Sequence, residues 1–83
     1  MKPEARFDFL MSEVALGLTF ASIAQDAGDD TEKIERNTAN ARLAHDNILR
    51  FRDRVPMSDG QAAELESGLQ RLRGILRALG ENV

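Results

Sequence analysis

Residues 7–27 read FDFLMSEVALGLTFASIAQDA, and between Phe9 and Ala24 the only charge is Glu13. At about 100° per residue on a helix, Phe7, Leu10, Met11, Val14, Leu18 and Ala21 align as one apolar stripe. Phe9, Leu16, Phe20, Ile23 and Ala27 align as a second, roughly half a turn away. A surface helix needs one such stripe. This helix needs cover on both sides, so the rest of the chain, or another copy of it, must supply two partners for it.

Outward from that stretch, the punctuation divides the chain into three helices. Pro3 suits a first helical turn, where its missing N–H loses no partner, and Glu4 beside it favours the positive end of the helix dipole. Helix 1 is therefore expected over about 3–27, with Gly28 as a left-handed stop. Its small residues Ala15, Gly17, Ala21, Ser22 and Ala24 allow close approach of another helix, at some cost in helicity at Gly17.

Asp29, Asp30 and Thr31 offer alternative N-caps for helix 2, expected over 30–55, and Asp29 with Glu32 has capping-box spacing. Its seam, Ile34, Asn37, Ala41, Ala44, Ile48, Phe51 and Val55, alternates steps of three and four like heptad a and d positions. Asn37, near Thr38 and Asn40, interrupts the seam as a packing or register device, with membership of a polar pocket as the alternative. Pro56 disfavours helix at Val55 and ends it. Ser58 with Gln61 repeats the capping-box spacing, and Ala62, Leu65, Leu69, Leu72, Leu76 and Leu79 form the seam of helix 3 over 59–79, widened by Ile75. Gly80 closes it. Short connections make sequential helices antiparallel neighbours, so the expectation is an all-α, up-down-up three-helix bundle in a single domain, 1–83.

Composition narrows the function classes. Eighty-three residues without cysteine exclude disulfides, thiolate metal sites and thiol nucleophiles, and a cytoplasmic setting is the default. So short a domain hides only about 60% of its unfolded surface, which favours association. The net charge of −3 is unevenly spread: residues 1–33 hold three basic and seven acidic side chains, and residues 34–83 hold eight arginines against seven acids. The sixteen residues from Phe9 to Ala24 are too few to span a bilayer, and Glu4, Asp8 and Glu13 do not suit a secretory signal. No membrane association is expected.

Three candidate chemistries stand beside structural roles for the same residues. His45, the only histidine, could accept a phosphoryl group. Histidine phosphotransfer domains place lysine and glycine three and four residues later, where this chain has Ile48 and Leu49, so His45 reads as a flank residue of the helix 2 seam. Metal binding by paired Glu-x-x-His motifs fails because Arg42 stands three residues before His45 and no second histidine exists. Arg36, Arg42, Arg71, Arg73 and Arg77 could form an anion-binding face on helices 2 and 3. Near-absence of lysine, the lack of interleaved aromatic residues and the neighbouring Glu35, Asp46 and Glu66 argue against nucleic acid. Arg50, Arg52 and Arg54 suit the negative end of helix 2.

The expectation drawn from the double stripe is a small non-enzymatic module, with no cofactor or metal, that self-associates through helix 1 as a homodimer, the commonest closed oligomer. Phe9, Leu16, Phe20 and Ile23 are the expected contact residues, with Glu13 and Gly17 at the margin. The alternative is a binding module for an anionic partner through the five arginines.

Overall fold

A computed structural model describes residues 3–83 and is all-helical, with α1 (Pro3–Gln25), α2 (Thr31–Phe51) and α3 (Asp59–Ala78) packed against one another. The side chains of Pro3 and Glu4, expected to favour the start of α1, lie outside the described part.

Most helix ends follow from the residues that mark them. Gly28 and Gly80 take φ of 63° and 95°, the left-handed conformation that glycine adopts without steric cost. The side chain of Asp30, rather than Asp29, accepts the N–H of Lys33 at 3.1 Å and caps α2. At α3, Ser58 accepts from Gln61 N–H at 3.1 Å while the Gln61 side chain accepts from Ser58 N–H at 3.0 Å, a complete capping box. Helix 2 ends earlier than expected. Its last turn tightens into a 3-10 segment over Arg52–Arg54 before Val55 goes extended (φ −109°, ψ 117°) ahead of Pro56.

α1 is the hub of the bundle: it packs along both α2 and α3, whereas α2 and α3 touch each other only sparsely. Its inward side carries Phe7, Leu10, Val14, Gly17, Ala21 and Ala24, all buried. These meet Ala41, Ala44 and Ile48 of α2 and Leu65, Leu69, Leu72 and Leu76 of α3, all buried too. Ala62, at the head of the expected α3 seam, is exposed.

Two glycines set how closely the helices approach. A Cβ at Gly17 would stand 2.8 Å from Leu72 Cδ2 and 3.2 Å from Ala44 Cβ, and one at Gly68 would stand 2.7 Å from Val14 Cγ1. Neither position has room for a methyl group, so glycine is what lets the three helices share one dry core. The result is long and narrow, 42 × 21 × 17 Å, with a radius of gyration of 13.3 Å against about 12 Å for a compact chain of this length.

Candidate interaction surface

The apolar residues of α1 point in opposing directions and cancel, while α2 and α3 each have one distinct apolar face. With α2 and α3 on the inward stripe, the second stripe is left open. Phe9, Leu16 and Ile23 are 43%, 47% and 36% exposed, and with Leu43 of α2 at 60% they are the large apolar side chains exposed among the described residues. Phe9, Leu16 and Ile23 recur every seven residues, close to two helical turns, and so form a straight line along α1. Phe20 and Glu13, between them, are half-buried, and Phe20 packs against the edge of the core.

Gly17 differs from its expected place at the margin of this surface. It is buried between α2 and α3, because its lack of a side chain is used inside the bundle. Leu43 is exposed unexpectedly: it immediately precedes the buried Ala44, on the otherwise polar side of α2.

At one end of the line, Phe9 meets Phe51 edge to face, with ring centroids 6.4 Å apart. An open cavity of about 340 Å³ lies beside them, lined by Arg6, Phe9, Phe51, Arg54 and Val55. The Arg50 guanidinium stands 5.4 Å from the Phe51 ring centroid, within cation–π range. At the other end, Ile23 and Asp26 line a cavity of about 460 Å³ with Thr19, Ser22 and Lys33.

The opposite side of the bundle, where α2 meets α3, is held by polar groups. His45 is 3% exposed; its Nδ1 lies 2.8 Å from Asp46 Oδ1, and its Nε2 accepts from Arg73 Nε–H at 3.3 Å. A guanidinium N–H only donates, so Nε2 is the bare nitrogen and Nδ1 carries the proton towards Asp46. Arg42 reaches Asp46 at 3.1 Å and Glu81 at 3.3 Å, while Glu66 lies between Arg52 at 3.6 Å and Arg73 at 3.7 Å. Burial raises the Asp46 pKa, but hydrogen bonds from His45 and Arg42 and the positive charge of Arg42 outweigh it and hold this carboxyl below its ordinary value. His45 is therefore a buried hydrogen-bonding residue rather than an exposed nucleophile. The sequence marked its position on the seam flank but not its link to Arg73, 28 residues away.

The five arginines are not gathered on one face. Arg42 and Arg73 are committed to the α2/α3 seam, and Arg77 donates to the Val83 carbonyl at 2.7 Å. Arg71 lines the opposite flank of α3, with Met11, Leu18 and Glu64. Residues 71 and 73 lie about 200° apart around a helix, so their closeness in sequence does not bring them together. Arg36 is exposed on α2. Asn37 donates to the Lys33 carbonyl of its own helix at 2.9 Å, and the buried Thr38 hydroxyl beside it has no partner.

Ala5–Gln25 of α1, with mean hydropathy 1.4, is long and apolar enough to cross a membrane by length and composition alone, and a third of that stretch is buried within the bundle. This is a longer apolar run than the sixteen residues counted between charged side chains. No protein-family model matches this chain, and no curated protein or solved structure matches it either.

Proposed function

We propose that this protein is a small non-enzymatic helical module, an up-down-up bundle that self-associates as a homodimer through the outer stripe of α1. The observation that carries the reading is the line of Phe9, Leu16 and Ile23, exposed at seven-residue intervals along the hub helix. The Phe9–Phe51 and Gly17–Ala44 contacts, whose partners fall in number as α1 rises, support antiparallel α1 and α2; Val14 against Gly68 and Gly17 against Leu72 support parallel α1 and α3. By those contacts Leu43 stands abreast of Leu16, which gives the surface an apolar centre.

Monomeric proteins rarely expose contiguous apolar patches beyond a few hundred Å² without a use for them, and a seven-residue apolar repeat is what a helix partner reads. Insertion of α1 into a bilayer would strip its inner stripe from α2 and α3, so a protein partner fits this surface better than a membrane. The histidine and its arginine neighbours are tied to one another and to acids across the α2/α3 seam, which favours a structural role for them. The test is Leu16→Glu, a change confined to the open side. Light scattering should give twice the 9.2 kDa chain mass for the native protein and the single-chain mass for the variant, with unchanged helical content by circular dichroism. A native protein of single-chain mass at all concentrations would overturn the reading.

A further inference from the structure

Resting on that reading, we infer that the two copies run antiparallel along α1, about a twofold axis near Leu16, so that the arginine-rimmed Phe9 end of each lies against the Asp26 end of the other. The two ends of the open stripe differ in charge. The Phe9 cavity is rimmed by Arg6 and Arg54, with Arg50 beside Phe51; Asp8 and Asp53 are the nearby acids in the sequence. The Ile23 end carries Asp26, followed by Asp29 and Asp30, against one cation, Lys33. Among the described residues, Arg6, Arg54 and Asp26 make no ion pair within the chain.

A parallel dimer would set arginine beside arginine and aspartate beside aspartate along the same seam. An antiparallel dimer opposes unlike charges at both ends, and like-charge juxtaposition is the stronger determinant of which arrangement forms. It also brings the two open cavities together: each Phe9 with its flanking Phe51 meets the gap beside Ile23, while Leu16 and Leu43 meet their own copies at the axis. A twofold contact of this kind is closed and self-complementary.

The absence of cysteine makes a single spin label at Gln25→Cys unambiguous, at an exposed position at the end of α1. With the axis at Leu16, two such labels are separated along the helices by about 27 Å at 1.5 Å per residue; in a parallel dimer they stand abreast at about 10 Å. Pulsed dipolar spectroscopy should give a distance mode beyond about 25 Å. A mode below about 20 Å in a sample shown to be dimeric would overturn the antiparallel arrangement and leave self-association standing. Absence of any intermolecular dipolar signal from a monomeric sample would overturn self-association itself.

Charge exchange supplies the second readout. Arg6→Glu should weaken the dimer about tenfold by disrupting two symmetry-related contacts, and adding Asp26→Arg should restore most of the affinity. If the double variant were as weak as, or weaker than, the single one, the opposition of these two ends would be refuted.

Discussion

The two seams that hold this bundle together are built differently. Where α1 meets α2 and α3, the contact is dry and close, with Gly17 and Gly68 in direct contact with Leu72, Ala44 and Val14. Where α2 meets α3, long polar side chains carry the contact: Arg73 to His45, Arg42 to Glu81, and Glu66 between Arg52 and Arg73. Both α2 and α3 turn their main apolar faces to the same side of α1, and the outer stripe is met by Phe51 at its Phe9 end. The open line of Phe9, Leu16 and Ile23 is the consequence of that division.

The largest expected effect lies in the dry seam. Leu72→Ala removes a fully buried side chain and should cost about 3 kcal/mol in chemical denaturation, whereas Leu16→Ala should change monomer stability by less than about 0.5 kcal/mol. Equal losses from the two would abolish the distinction between the sides of α1.

In the polar seam, His45→Leu leaves Asp46 and Arg73 without their shared partner and should cost roughly 1–3 kcal/mol. A neutral result would mean that α2 and α3 are held by α1 alone. Glycine positions on α3 separate close contact from open surface. Gly68→Ala drives a methyl into the stiff Val14 side chain and should lose about 1–2 kcal/mol. Gly74→Ala on the same helix meets nothing within 4 Å and should gain roughly 0.5–1 kcal/mol.

The smallest effect is a pH dependence. Because the folded Asp46 carboxyl titrates below its ordinary value of 3.8, protons bind the unfolded chain more readily. Its contribution is complete above the ordinary value and fades as pH falls through the lower folded one. With half of the Asp46 side chain exposed, this amounts to less than about 1 kcal/mol. Asp46→Asn should remove that step from the acid limb of the stability profile, and an unchanged limb would show that other carboxyls produce it.

Much of the fold was legible because its signals are local. Leu65, Leu69, Leu72 and Leu76 mark the α3 face, Ser58 with Gln61 its start, and Gly28 and Gly80 the stops. The double stripe of α1 was legible as well, but which side turned inward was not, since both carry large apolar residues. Gly17, which extends the inner stripe, matters only once the facing Leu72 and Ala44 are known. The end of α2 was overrun because Pro56 marks where helix must stop, not where its last turn tightens. The α2/α3 network escaped reading because Arg42, His45, Glu66, Arg73 and Glu81 meet only across helices. Arg71 and Arg73 looked like one cluster until the helix separated them.

If the open stripe of α1 is where one copy meets another, the mass of the protein in solution must depend on its concentration. Sedimentation equilibrium of the unmodified protein over about a hundredfold range of concentration tests it most directly, because mass action must show in the average mass. The average mass should rise towards twice 9.2 kDa, and Leu16→Glu should abolish the rise. A mass of one chain throughout, for native protein and variant alike, would contradict self-association through this stripe.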